Sequence, residues 1–248
     1  MPNPSLGRVL GVIPARLAST RLPRKVLLPL AGEPLLAWVY RAARACAALD
    51  DVVIATDSDE VLALCNSRGW PCQMTSPDLP SGTDRLHAVS QSIYADIYVN
   101  IQGDEPLLRA DHIDDILRPF AAPHVDVTTL KVLCRPDYIH NPNVVKVVTA
   151  FDGRALYFSR APIPFDRDGN GEGTYWKHLG LYAYRRAALQ RFASLAPGSL
   201  EQTERLEQLR LLENGLTLYV AETAHDTIGV DTEDDLRRVE ALLLNQPT

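Results

Sequence analysis

The sequence of 248 residues lacks the features of several large protein classes. No apolar run approaches the length needed to cross a membrane, and the first residues lack the long apolar segment of a signal peptide. The formal net charge of -6 argues against general nucleic-acid binding. We therefore expect a cytoplasmic protein with no membrane span and no nucleic-acid partner.

Cysteine is scarce, and two common phosphate-binding motifs are missing. Cys46, Cys65, Cys72 and Cys134 show no metal-type pairing, and three of them, in apolar or helical surroundings, are interpreted as reduced core thiols. No GxxxxGK[ST] sequence occurs, which argues against a P-loop kinase or ATPase. No GxGxxG sequence occurs either, which argues against a dinucleotide oxidoreductase. Phosphoryl chemistry at a nucleotide, without a covalent enzyme intermediate, remains.

A basic segment stands out against this acidic background. An apolar run over residues 9–13 predicts a buried strand that stops at Pro14. The cations follow it directly: Arg16, Arg21, Arg24 and Lys25. Open α/β sheets bind anions in loops at the carboxyl ends of their strands, and four cations suit a polyphosphate. The alternative is a solvated basic loop.

Strand and helix patterns alternate through the first half of the chain. Strands are predicted over residues 51–56, 72–74, 95–101 and 125–133, and helices over 35–46, 60–68, 87–92 and 108–120. This order predicts an α/β fold with a doubly wound, mostly parallel sheet.

The alternation of predicted strands and helices ends at about residue 136. Strands are predicted over residues 144–149, 155–159, 179–184 and 216–221, and helices over 189–192, 201–212 and 233–244. Asp152-Gly153 between two of these strands predicts a hairpin. We interpret residues 1–248 as a single domain, in which residues 136–200 form an antiparallel β-rich insertion or lobe.

Two carboxylates are candidates for a metal site. Asp104 and Asp231 each follow an apolar segment and precede a polar turn, so they are predicted to lie at the same sheet edge as the basic loop. Mg²⁺ is held by one or two carboxylates plus substrate phosphates. The alternative is an ordinary cap or turn aspartate. The Asp57-Ser58-Asp59 segment resembles a metal-binding DxD, but a helix N-cap is the favoured interpretation.

In several long motifs the sequence resembles the 3-deoxy-manno-octulosonate (Kdo) cytidylyltransferases. They span nearly the whole chain: residues 12–16 and 21–25, Ser81-Gly82-Thr83-Asp84-Arg85-Leu86, Gln102-Gly103-Asp104-Glu105-Pro106, residues 141–148, 157–164, 178–182 and 206–210, and Gly229-Val230-Asp231-Thr232. The resemblance implies a glycosyltransferase-A-like nucleotidyltransferase fold, a homodimer and Mg²⁺ dependence. It also implies transfer of CMP from CTP to Kdo, with release of pyrophosphate, for bacterial lipopolysaccharide synthesis.

Residue roles follow from the resemblance by motif. Triphosphate contacts are implied for Arg16, Ser19 and Lys25, with Arg21 part of the same nucleotide-binding loop. Catalytic roles are implied for Arg16, Lys25 and Asp104. Cytidine contacts are implied for Ser81, Arg85 and Gln102, and Mg²⁺ ligation for Asp104 and Asp231. The implied sugar-binding residues are Arg160, His178, Tyr182, Glu207 and Gln208. From the residues alone, His178 also suits a satisfied core histidine and Glu207-Gln208 a plain helix surface.

One position departs from the family pattern. Arg24 stands where the family commonly has Gly, which could adopt positive φ close to phosphate. Pro23-Arg24-Lys25 is closer to the CMP-sialic acid synthetases. The alternative substrate is therefore another 2-keto-3-deoxy sugar acid (sialic-acid-like or 8-amino-Kdo). Two alternatives from other classes, independent of Arg24, are a catalytically silent nucleotide-binding homologue and a transferase that uses a nucleotide sugar as donor.

Overall fold

The computed structural model describes residues 6–17, 21–171 and 173–245, and the chain divides into two compact units. Unit 1 comprises Met1–Ile113 and Thr227–Thr248, and unit 2 comprises Asp114–Asp226. Residues 136–200, which were predicted to form a β-rich lobe, lie inside unit 2. No helix in the described part of the chain is long and apolar enough to cross a membrane.

Strands and helices are numbered along the chain. The strands are β1 (Val9–Pro14), β2 (Pro29–Leu30), β3 (Glu33–Pro34), β4 (Asp51–Thr56), β5 (Cys72–Met74), β6 (Ile97–Asn100), β7 (Val127–Leu133), β8 (Lys146–Thr149), β9 (Ala155–Ser159), β10 (Trp176–Arg185) and β11 (Leu218–Glu222). The helices are α1 (Leu35–Arg44), α2 (Asp59–Arg68), α3 (Gly82–Ser90), α4 (Ala110–Leu117), α5 (Arg186–Ala193), α6 (Ser199–Glu204), α7 (Leu209–Glu213) and α8 (Glu233–Leu244).

The strands of unit 1 form a parallel sheet in the order β6-β1-β4-β5. Val12 in β1 lies opposite Val53 in β4 and Asn100 in β6. These strands are buried almost throughout, as parallel strands covered on both faces require. The parallel sheet predicted from the alternating pattern is confirmed here. Its consequence is that β1 and β6 end at the same edge, where the basic loop and Asp104 follow them.

Unit 2 is built around the long strand β10, which pairs antiparallel with β7 and β8. β8 and β9 form the hairpin predicted from Asp152-Gly153, with Gly153 at φ +87° in its turn. β11 adds to β7 in the parallel direction. The side chains of Leu179, Leu181 and Tyr184 in β10 are buried, which anchors the strand in the core of this unit.

The prediction of one continuous helix over residues 201–212 is wrong. α6 ends before Arg205, which has left-handed backbone angles (φ +55°), and α7 begins only at Leu209. The Glu213 carboxylate accepts the N–H groups of Leu200 and Glu201 and so holds the first turn of α6. The break places the 207–208 segment between two helices, not on a helix surface. The predicted helix over 108–120 also ends early, at Leu117, because a 3₁₀ turn containing Pro119 follows.

Candidate active site

The loop after β1 contains a turn that the sequence pattern did not predict. Residues Lys25–Leu27 form a 3₁₀ helix, and Arg24 just before it has φ +58° and ψ +24°. Arg24 therefore adopts the left-handed conformation for which a glycine would serve, and its guanidinium pairs with Glu60. The buried side chain of Val26 anchors the turn. Consecutive cations consequently have different partners.

Lys25 lies between the two aspartates predicted to bind metal. Its Nζ is 2.5 Å from Asp104 Oδ2 and 2.9 Å from Asp231 Oδ1. The Arg21 guanidinium is 2.9 Å from the other oxygen of Asp231, Oδ2. The side chain of Lys25 is only 11% exposed, whereas those of Asp104 and Asp231 are 29% and 40% exposed. The structure thus brings basic loop and carboxylates together at one edge of the parallel sheet.

The pKa of Lys25 reports the balance of forces in this cluster. Burial alone lowers the pKa, because it disfavours the charged amine. Attraction to Asp104 and hydrogen bonds to Asp104 and Asp231 outweigh that effect, and the pKa of Lys25 lies above its ordinary value of 10.5. Lys25 is therefore a fixed positive charge at neutral pH.

Backbone contacts hold the two aspartates in place. The Asp104 carbonyl accepts the N–H of Val230 at 2.9 Å, which ties together the two segments that carry the carboxylates. A Cβ on Gly103 would lie 2.6 Å from the Pro14 carbonyl oxygen, so only glycine allows this approach to the end of β1. Thr232, not Asp231, is the N-cap of α8, in a capping box with Asp235. The side chain of Asp231 consequently remains available to the cations.

A cleft of about 520 Å³ opens at this edge, within unit 1. Its polar lining consists of the following side chains: Arg16, Arg21, Lys25, Arg85, Gln102, Asp104 and Asp231. The volume lies in the range of small-molecule binding sites. Arg16 also donates to the Pro80 carbonyl at 3.5 Å. Ser19 lies outside the described residues.

The predicted cytidine residues are in different environments. Arg85 is buried, with its guanidinium paired to Asp57 and hydrogen-bonded to Thr75 Oγ1 at 2.6 Å. Ser81 is the N-cap of α3, because its Oγ accepts the N–H of Asp84. Arg85 is therefore held rigidly in the wall of the cleft by Asp57, a residue that the sequence reasoning did not place in the site.

The Asp57-Ser58-Asp59 segment is a helix start, as the favoured interpretation predicted. Ser58 Oγ accepts the N–H groups of Glu60 and Val61 at the beginning of α2. Asp57 pairs with Arg85, and Asp59 is exposed in the first turn of the helix. Among the described residues no group of three or more His, Cys, Asp or Glu side chains could hold a metal ion. The Ser58 cap and the Asp57–Arg85 pair account for this segment as a helix start.

In unit 2, His178 and Tyr182 lie next to each other on β10. The ring of His178 packs against Phe158 with centroids 4.9 Å apart, and its Nε2 is 2.9 Å from Thr129 Oγ1. Burial lowers the pKa of His178 to about 3 and raises that of Tyr182. Both side chains are therefore neutral at physiological pH, and His178 has the buried, hydrogen-bonded environment of a core histidine.

The guanidinium of Arg160 contacts backbone carbonyls. It donates to Glu204 O at 2.7 Å, Pro142 O at 2.9 Å and Arg205 O at 3.3 Å. Since a guanidinium has five N–H donors, about two remain for another partner. Lys146, which the sequence reasoning assigned no role, is fully buried, and its Nζ donates to the Arg160 carbonyl at 2.7 Å. The position of Lys146 inside a predicted strand of apolar residues was the sequence feature that could have indicated its burial.

The Glu207-Gln208 segment is not plain helix surface. Gln208 is buried, and its Nε2 has no hydrogen-bond partner among the described residues. An unpaired buried amide is unusual in a folded protein, since such groups nearly always find partners. It marks a donor that a ligand oxygen could satisfy. Glu207, beside it, is partly exposed.

A parallel α/β sheet whose strand ends carry a mixed cluster of cations and aspartates is typical of α/β proteins that bind phosphorylated ligands. The family model described as Cytidylyltransferase matches residues 10–222. The chain belongs to the cytidylyltransferase family.

Two similar proteins indicate a more specific group within this family. The chain is 65% identical to the 3-deoxy-manno-octulosonate cytidylyltransferase of Acidobacterium capsulatum over 96% of this chain and 97% of the relative. It is 54% identical to the enzyme of the same name from Koribacter versatilis, over 95% of this chain and 90% of the relative.

Solved structures agree with these relatives. A CMP:2-keto-3-deoxy-manno-octonic acid synthetase complexed with CTP superposes with a TM-score of 0.91 at 41% identity, covering 96% of this chain and 98% of the other. A putative glucose-1-phosphate thymidylyltransferase from Bacillus anthracis has a TM-score of 0.69 at 17% identity, covering 97% of each chain. The second likeness shows the fold alone.

Proposed function

We propose that the chain transfers CMP from CTP to the anomeric hydroxyl of Kdo and releases pyrophosphate. The observation that carries the proposal is the cleft of unit 1, where Lys25 and Arg21 face Asp104 and Asp231. Cations for a polyphosphate and oxygens for a metal ion are the two requirements of this reaction. The names of the relatives and of the CTP-bound structure point to the same substrates.

The two aspartates suit Mg²⁺. Both supply hard carboxylate oxygens, and both are partly exposed, at 29% and 40%, so that an ion and its waters could reach them. Mg²⁺ commonly binds one or two carboxylates and completes its shell with water and substrate phosphates. When bound, the ion would supply charge neutralisation at the phosphates.

The chain's own contribution is positioning and charge. Arg16, Arg21 and Lys25 bind the triphosphate and stabilise the negative charge that moves to the leaving pyrophosphate. Arg85, held by Asp57, gives the cytidine side of the cleft a rigid wall. The hydroxyl of the sugar acid attacks the α-phosphorus in line with the departing pyrophosphate, with Gln102 as a further polar contact to the nucleotide.

Sugar recognition is assigned to unit 2. The unpaired Nε2 of Gln208 donates to a sugar oxygen, and the remaining N–H groups of Arg160 suit a carboxylate. The other candidates for sugar contacts are Glu207 and the neutral side chains of His178 and Tyr182. The product serves lipopolysaccharide synthesis, and we place the reaction in the cytoplasm, where CTP is made. A homodimer is expected, and light scattering of the purified chain measures it.

A pyrophosphate-release assay tests the proposal. The protein is incubated with Mg²⁺ and CTP and with Kdo, 8-amino-Kdo or a sialic acid in parallel. Turnover with Kdo is expected, whereas a preference for the sialic acid would support the alternative suggested by Pro23-Arg24-Lys25. Absence of pyrophosphate with every acid would contradict the enzymatic proposal. Free nucleotide without pyrophosphate, from a nucleotide sugar, would indicate a sugar transferase instead.

A further inference from the structure

The carboxylates proposed to bind Mg²⁺ already have cationic partners. Both oxygens of Asp231 are taken, Oδ1 by Lys25 at 2.9 Å and Oδ2 by Arg21 at 2.9 Å. Lys25 also takes Oδ2 of Asp104 at 2.5 Å. The Lys25 ammonium thus lies between the two aspartates, in the position that a bridging cation would need. A metal ion that binds Asp231 would therefore lie beside the positive charges of Lys25 and Arg21 and compete with them for the same oxygens.

We propose that Lys25, assisted by Arg21, occupies the divalent-cation site until a nucleotide polyphosphate draws both cations away from the aspartates. Phosphate oxygens bind ammonium and guanidinium groups strongly, so a triphosphate offers both side chains an alternative partner. Once they move, Oδ2 of Asp104 and both oxygens of Asp231 no longer have a competing cation beside them. Metal and nucleotide therefore bind cooperatively, and the free protein is kept from binding divalent ions tightly.

Lys25, Arg21 and a metal ion compete for the same carboxylate oxygens. A ligand that must break existing ion pairs binds more weakly by the free energy of those pairs. Low exposure of Lys25 (11%) makes its ion pairs less screened by solvent than surface pairs. Coupling of this kind is reciprocal: whatever CTP adds to metal affinity at the protein, the metal adds to CTP affinity. Removal of Lys25 should consequently strengthen metal binding to the nucleotide-free protein, although it weakens CTP binding.

The test measures metal binding without nucleotide. Mn²⁺ serves as the probe, because it prefers the same oxygen ligands as Mg²⁺ and free Mn²⁺ is quantified by electron paramagnetic resonance. Lys25→Met is expected to bind Mn²⁺ about tenfold more tightly than the wild type, which corresponds to about 1.4 kcal/mol. Arg21→Met is expected to gain about threefold. Combining Lys25→Met with Asp104→Asn should remove the gain, because the gained site is the aspartate pair.

Arg24→Met is the matched control. It removes the same charge from the neighbouring residue, but Arg24 pairs with Glu60 and not with the site aspartates. A gain in Lys25→Met and none in Arg24→Met would separate competition for the oxygens from a general change in charge. Equal Mn²⁺ affinity in Lys25→Met and the wild type would overturn the proposal, as would an equal gain in Arg24→Met.

Folding is checked by the thermal unfolding midpoint of each variant. Should Lys25→Met fail to fold, Arg21→Met decides alone: its side chain is 63% exposed, and unchanged Mn²⁺ affinity there would overturn the proposal. The inference rests on the proposed function, since it takes Asp104 and Asp231 as metal ligands. The two can fail separately, because wild-type turnover with Kdo tests the function and nucleotide-free Mn²⁺ binding tests only the role of Lys25.

Discussion

Lys25 in unit 1 and Lys146 in unit 2 are both largely buried lysines, but their partners differ. Lys25 contacts two aspartate side chains. Lys146 donates to three backbone carbonyls, those of Asn141, Val144 and Arg160, at 2.6–3.0 Å. Attraction to aspartates outweighs burial and raises the pKa of Lys25, whereas burial lowers the pKa of Lys146.

The comparison separates a binding role from a structural one. Carboxylates on partly exposed side chains can exchange a lysine for a metal ion, and the released lysine can bind phosphate. Backbone carbonyls have no such freedom, because moving them means unfolding the segment. Lys25 is therefore suited to bind ligands, and Lys146 is suited to fix the backbone at Arg160.

Removing Asp104, an exchangeable partner of Lys25, should have the largest effect. Asp104→Ala is expected to lower kcat more than about a thousandfold, the scale for losing key charge stabilisation in the transition state. Steady-state pyrophosphate release measures it. Asp59→Ala, which removes an exposed aspartate in the first turn of α2, is the control and should stay near the wild type. Activity of Asp104→Ala within tenfold of the wild type would contradict the assignment.

Replacing Lys146 or Lys25 by Met should have different effects on the free energy of unfolding and on CTP binding. Lys146→Met leaves three carbonyls without their donor and is expected to lower the free energy of unfolding by about 3 kcal/mol. Lys25→Met should lower the free energy of unfolding by about 1 kcal/mol or less, because the aspartates are exposed enough to regain water, while CTP binding is weakened. Urea unfolding and calorimetry measure the two quantities. Comparable stability losses in both variants would remove the contrast.

Acid should destabilise the protein through His178. Its pKa is about 3 in the folded chain, below the ordinary value of 6.5, so the unfolded chain binds more protons between these values. Stability contributed by neutral His178 is complete above pH 6.5 and is lost as the pH falls toward 3. A loss of about 1–2 kcal/mol is expected between pH 7 and 5 from urea unfolding. His178→Gln should show a smaller pH dependence, and an unchanged dependence would contradict the assignment.

The smallest effect is expected at Arg24. Arg24→Gly should keep turnover and change the KM for CTP only modestly, because glycine adopts the observed φ of +58° without a Cβ penalty. The exposed pair with Glu60 contributes little. Steady-state kinetics with varied CTP measures the change. Complete loss of turnover would show that the Arg24 side chain itself acts in the reaction.

Local patterns predicted much of the fold and part of the site. Uninterrupted apolar runs predicted the strands of the parallel sheet, and Asp152-Gly153 predicted the β8–β9 hairpin. Because the carboxyl ends of parallel strands meet at one edge of a sheet, the sequence predicted that the basic loop and Asp104 lie together there. The helix break at Arg205 was missed, because a non-glycine residue with positive φ leaves no mark in the pattern of apolar residues.

By itself the sequence determined where strands end and which charges follow them, because apolar periodicity and turn residues act over a few neighbours. Only the tertiary structure decided the partners of those charges. Lys25 and Asp231 are separated by most of the chain and meet because α8 returns to unit 1. Equally, only packing made Lys146 a structural residue and left Gln208 Nε2 without a partner among the described residues, since burial depends on what the rest of the fold places around a side chain.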